Sequence, residues 1–175
     1  MPRQITVYRG LVVSPGDVKP ARDAFSQIAS LWNANVGFEL GVGIDAVRWE
    51  THAYPDVADE PQTVINRQLA EACDFGVAVF GSRLGTPTSA YLSGSVEEVN
   101  QLLNAGKPVM AYFQRRKRRP SGVSVEQWQL LQQFRNGLER RGLVFSFGTL
   151  SELRQYWLMH LFRVIITLHG SPSSQ

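Results

Sequence analysis

An α/β fold with a five-stranded parallel sheet and helices on both faces is predicted by three features of this 175-residue chain. Short β-rich runs alternate strictly with stretches whose apolar residues fall at three-four spacing. Two of those runs, Phe75–Phe80 and Pro108–Phe113, are continuously apolar, as strands covered on both sides are. Helix-start signatures of the form Ser/Thr/Asp-x-x-Glu/Gln recur between the strand and helix runs.

The elements follow in order. Ile5–Val13 reads as the first strand and ends in the turn Ser14-Pro15-Gly16-Asp17. From Val18 the apolar positions Ala21, Phe25, Ile28 and Trp32 share one helix face, and Pro20 suits the first turn. Gly37–Gly43 reads as a loop, and Ile44–Trp49 as the second strand. Asp59-x-x-Gln62 is a capping box ahead of a helix with Val64, Ile65, Leu69 and Ala72 inward. Phe75–Phe80 is the third strand, and a helix runs from about Ser95 to Asn104. Gly106 stops it, and Pro108–Phe113 is the fourth strand. Ser124-x-x-Gln127 caps a helix carrying Trp128, Leu131 and Leu138. Leu143–Phe147 is the fifth strand. Thr149-x-x-Glu152 opens a last helix with Leu150, Leu153, Trp157, Leu161, Val164 and Leu168 on one face. With right-handed crossovers, the simplest strand order is the flavodoxin-like 2-1-3-4-5. Residues 1–170 are expected to be one domain, and 171–175 a flexible tail or the start of a linker.

Composition narrows the function classes. Apolar residues make up 43% of the chain and the formal charge is +3, with much of the excess in Arg115–Arg119. That run lacks interleaved aromatics and no recognition helix follows it, so nucleic acid is not the expected partner. Cys73 is the single cysteine, which excludes an internal disulfide, and the three His residues lack metal-ligand spacing. No metal is expected. No signal peptide or membrane-spanning run is found, so a cytoplasmic setting is the expectation.

In such sheets, sites lie beyond the carboxyl ends of the strands. Asp17, after strand one, suits either a helix cap or a phosphate-receiving turn. After strand two, Trp49 stands between Arg48 and Glu50; it can pack beneath a loop or offer its face to a base, with Arg48 on a phosphate. After strand three come Ser82, Arg83, Tyr91 and Ser93 in a Gly-, Ser- and Thr-rich loop suited to close approach of a sugar. The helix that follows carries Glu97 and Glu98. Ser95-x-x-Glu98 is itself a capping box, so Glu98 reads either as a helix-starting residue or as an acid at a site.

The stretches "VVSPGDV", "VRWETHAYPDVADEPQTVINRQL", "FGSRLGTPT" and "SGSVEEV" resemble a TIR-like family found at the N-termini of prokaryotic signalling and antiphage-defence proteins, often ahead of a STAND-type NTPase. The resemblance covers nearly the whole chain. The wider superfamily includes TIR domains and nucleoside 2-deoxyribosyltransferases, which use a flavodoxin-like sheet and place an essential glutamate on the helix after strand three. By position in "GSVEEV" this implies Glu98, with Glu97 as the fallback. It further implies an effector that cleaves the nicotinamide–ribose bond of NAD, its substrate, without a cofactor, and is switched on by self-association. Trp49 or Tyr91 would stack on a ring, Ser14 and Ser82 would contact ribose or phosphate, and Arg48 or Arg83 would pair with the diphosphate. Two alternatives stand beside it: a non-catalytic homotypic scaffold, and a nucleoside or nucleotide N-glycosidase or transferase.

Overall fold

A computed structural model describes residues 3–57, 59 and 61–170, without the side chain of Gln62. The strands are β1 (Thr6–Val13), β2 (Val42–Val47), β3 (Phe75–Phe80), β4 (Val109–Gln114) and β5 (Phe145–Phe147). The helices are α1 (Lys19–Trp32), α2 (Phe38–Leu40), α3 (Trp49–His52), α4 (Pro61–Ile65), α5 (Gly94–Asn104), α6 (Val125–Glu139) and α7 (Leu150–Gly170). The sheet runs β2-β1-β3-β4-β5, and every adjacent pair is parallel. This is the architecture and strand order the sequence predicts.

Successive strand side chains point to opposite faces. Val12, Val77 and Val79 meet Phe25, Ile28, Trp32 and Trp157 of α1 and α7 on one face. Leu11, Val13, Ala78 and Phe80 meet Val99, Leu102 and Leu131 of α5 and α6 on the other. Every residue of β3 is buried, as a central strand in a doubly covered sheet must be.

Three expectations are corrected. The Gly37–Gly43 segment is not an open loop: α1 continues through a wide π turn (Asn33–Gly37) into α2, which Gly41 ends in the left-handed region at φ +67°. The Asn33 amide explains the continuation. It donates to Ile44 O at 2.9 Å and accepts from Ile44 N at 2.7 Å, pinning the helix end to β2. Gly37 then passes so close to β2 that a Cβ there would lie 2.3 Å from the Val42 carbonyl oxygen.

The second strand is also displaced. It spans Val42–Val47, and Trp49 begins α3 instead of ending the strand. The Arg48 N–H donates to His52 Nδ1 at 3.2 Å, so it leaves the ladder. The fifth strand is shorter than expected, because pairing with β4 starts only at Phe145, opposite Tyr112. The capping box at Asp59–Gln62 depends on Glu60 and the Gln62 side chain, which lie outside the described residues, as does the tail 171–175.

Candidate functional site

The chain reverses its direction of winding between β1 and β3, and a cleft of about 750 Å³ opens beyond their carboxyl ends. That size lies within the range of ligand pockets. Ser14, Trp49, Arg83, Ser93 and Glu98 line it, joined by Gln127.

The floor is set by a clamp between the turns after β1 and β3. Asp17 Oδ2 accepts from both the Ser82 N–H (2.8 Å) and the Ser82 hydroxyl (2.9 Å). Gly81 permits this approach, since a Cβ there would fall 2.7 Å from Asp17 Oδ2. Asp17 is therefore not the side-chain cap of the first helical turn: the residue before that turn is Pro15, which makes no cap bond. Ser82 is 7% exposed and committed to the clamp rather than to the cleft. Ser14 Oγ and Asp17 Oδ1 are buried and make no hydrogen bond to any described residue. Buried polar atoms of this kind are uncommon, and Ser14 belongs to the cleft lining.

Trp49 is held by its neighbours. Arg48 pairs with Asp23 at 2.7 Å and Glu50 pairs with the buried Arg22 at 3.2 Å, so both flanking residues are tied to α1. The indole between them is half exposed and faces the cleft. Arg48 itself is outside the lining, its guanidinium engaged by Asp23. The Asp23 carboxyl is held below the usual range, first by the Lys19 ammonium and then by Arg48.

The start of α5 separates the two glutamates. The N-cap is Ser93, whose hydroxyl accepts from the Val96 N–H at 3.2 Å. Ser95 is inside the helix, so the Ser95–Glu98 capping box is not formed as read. Gly94 N donates to Thr86 O at 3.3 Å, which fixes where the incoming loop meets the helix. Glu97 is buried, at 8% exposure; it accepts from Asn66 Nδ2 at 2.7 Å and from Thr88 Oγ1 at 2.9 Å. It braces the loop and does not line the cleft. Glu98, one residue on, is half-buried and lines the cleft with Ser14 and Trp49.

Two further placements differ from expectation. Tyr91 lies on the far side of the loop, against a separate hollow between α5 and α6. Gln127, which the sequence marks only as half of a capping box, braces the cleft. Its Oε1 accepts from the Leu84 N–H (3.2 Å) and the Gly85 N–H (3.3 Å). The Ser124 hydroxyl does accept from Gln127 N at 3.1 Å, so only the backbone half of the box is used for capping. The recurring box signal marks Gln127 but cannot show where its amide reaches.

Arg83 is exposed at the cleft, and no ion pair among the described residues engages it. Together with the amides at the start of α5, it makes this end of the cleft suited to an anion. In the basic run, Arg115 pairs with Glu152, Arg116 bonds Gln114 and Arg119 bonds the Val123 carbonyl. Cys73 is buried, and desolvation pushes its thiol up to about 12, so it is a poor nucleophile. Among the described residues, no cluster of His, Cys, Asp and Glu could hold a metal ion, and no helix is long and apolar enough to cross a membrane.

The sequence pattern of a family described as "domain of unknown function (DUF4062)" matches residues 14–161. No curated protein matches the chain. Among solved structures, translation elongation factor SelB from Methanococcus maripaludis aligns at 11% identity and TM-score 0.50, over 98% of this chain and 38% of that one. Homoserine dehydrogenase from S. aureus aligns at 13% identity and TM-score 0.37, over 82% of this chain and 33% of the other. The chain thus spans about a third of the structures it matches, and the likeness to SelB concerns the fold alone.

Proposed function

The chain belongs to the DUF4062 family, and we propose that this member is a TIR-like domain that cleaves the nicotinamide–ribose bond of NAD. The observation that carries the reading is the grouping of Glu98, Trp49, Ser14 and Arg83 around one nucleotide-sized cleft at the switch point of the sheet.

In this reading, the bond between the ribose anomeric carbon and the nicotinamide nitrogen breaks, and its electron pair leaves with the ring. Nicotinamide is cationic while attached and neutral once released, so no acid has to protonate it. Positive charge moves onto the ribose. The Glu98 carboxylate stabilises that charge, where a fixed anion acts most strongly on the transition state. Water adds to the anomeric carbon and loses a proton, giving ADP-ribose. The Trp49 face stacks on a ring, Arg83 and the α5 amides receive the diphosphate, and the Ser14 hydroxyl contacts the sugar or a phosphate. Asp17, Ser82, Ser93, Gln127 and Glu97 position the loops. Arg48 holds Trp49 in place.

Self-association within prokaryotic immune signalling forms part of the proposal. It is supported by a second apolar stripe on α7, where Leu158, Phe162 and Ile166 recur at four-residue spacing and are 45–49% exposed. A helix apolar on two faces is suited to being covered on both.

The test is nicotinamide release from NAD by concentrated, assembled protein. Wild type should release it, and Glu98→Gln should not while keeping fold and assembly. Equal release by both proteins refutes the catalytic reading. Assembly without release by wild type favours the scaffold alternative. Free base from a panel of nucleosides, but none from NAD, favours the N-glycosidase or transferase alternative.

A further inference from the structure

The hollow that takes Tyr91 has a volume of about 640 Å³ and is separated from the first cleft by the loop after β3. We propose that it is a second binding site, for a ligand of mononucleotide type: a planar base linked to a phosphate.

Gly137 points to an occupant. It lies in the last turns of α6 with a right-handed backbone, so it does not serve as a left-handed helix stop. Glycine inside a helix is disfavoured relative to alanine. The usual reason to keep one is a close neighbour, yet a Cβ at Gly137 would meet nothing within 4 Å. Gly137 lines the hollow, so the space it leaves belongs to the hollow and not to the core.

The lining has matching chemistry. Tyr91 and Phe134 supply two aromatic rings, and Phe134 is fixed edge-on to Phe80 at 5.3 Å. Asn100 and Gln133 supply amides that can read a base edge as both donor and acceptor. Arg141 supplies a guanidinium suited to phosphate. None of these three polar side chains hydrogen-bonds or ion-pairs with another described residue.

The site is mechanically joined to the first. The Tyr91 N–H donates to Thr88 Oγ1 at 3.0 Å, and Thr88 in turn donates to Glu97. Thr88–Leu92 wall the second hollow, and Gly85–Pro87 wall the first. A ligand that fixes Tyr91 therefore fixes the loop that both share.

The experiment is calorimetric titration of the full chain with AMP, adenosine and 4-hydroxybenzoate. It uses an Arg83→Ala background, which weakens the first cleft. AMP should bind, Gly137→Leu should weaken it at least about tenfold, and Arg141→Ala should weaken AMP more than adenosine. Gln133→Ala, at an exposed position, provides a second lesion should Gly137→Leu fail to fold, and it should weaken both AMP and adenosine. No heat with AMP up to ~10 mM overturns the proposal, as does binding that survives both Gly137→Leu and Gln133→Ala. Binding that is present in wild type and lost with Arg83→Ala places AMP in the first cleft and also overturns it. Preference for 4-hydroxybenzoate over AMP overturns the nucleotide assignment.

Discussion

Replacing Glu97 with alanine should destabilise the fold by about 2–4 kcal/mol, whereas glutamine at the same position should cost about 1 kcal/mol. The carboxylate satisfies Asn66 Nδ2 at 2.7 Å and Thr88 Oγ1 at 2.9 Å, and Asn66 is only 4% exposed. Alanine removes the carboxylate that the buried Asn66 amide donates to, at roughly 1–3 kcal/mol for the loss of a buried hydrogen bond to a charged group. Thr88 is partly exposed and recovers water, so its share is smaller. Glutamine keeps both contacts: its carbonyl accepts from Asn66, and its amide donates to the Thr88 hydroxyl. Urea unfolding followed by far-UV circular dichroism gives the shift in midpoint, with the slope m unchanged. If alanine costs less than about 1 kcal/mol, or no more than glutamine does, the brace assigned to Glu97 is wrong.

Gly81→Ala should lower stability by about 1–3 kcal/mol, because its Cβ would stand 2.7 Å from both Asp17 Oδ2 and Val18 Cγ1; the melting temperature measures it, and an unchanged value refutes the close contact. Glu152 is held down to about 2, against an ordinary 4.5, first by Arg115 and then by the Gly148 N–H. Its folded value is depressed, so its contribution is fully present above about 4.5 and is lost as pH falls through about 2. The gap in urea midpoint between wild type and Glu152→Gln should close across that window, and a gap independent of pH would contradict the pairing. Cys73 should react with a disulfide reagent at mildly alkaline pH only as fast as the protein opens, and readily in urea; rapid labelling of native protein would contradict its burial.

Strand order and layer assignment were legible because they rest on local apolar pattern. Phe75–Phe80 and Val109–Phe113 can be satisfied only between two layers of helices. The boundaries that moved were set by side chains acting across a turn. His52 removes Arg48 from β2, and Asn33 carries α1 past its expected end. Periodicity carries no record of such bonds. At the cleft, the sequence brought Ser14, Trp49, Arg83 and Glu98 into one list through topology alone. It could not separate Glu97 from Glu98, because what distinguishes them is Asn66, 31 residues away, and the choice of Ser93 over Ser95 as cap. Gln127 was hidden for the same reason, its partners Leu84 and Gly85 lying 43 and 42 residues back.

The bracket around Trp49 gives the cleft two sides of unlike character. One side hangs on the ion pairs Arg48–Asp23 and Arg22–Glu50, whose carboxylates reach solvent although Arg22 is buried. The other is tied by Gln127 through uncharged amide bonds to the loop backbone. Added electrolyte weakens attraction between wet charges and leaves neutral bonds nearly untouched. Ionic strength thus acts as a dial on the indole's grip alone, loosening one jaw while the opposite jaw keeps its shape.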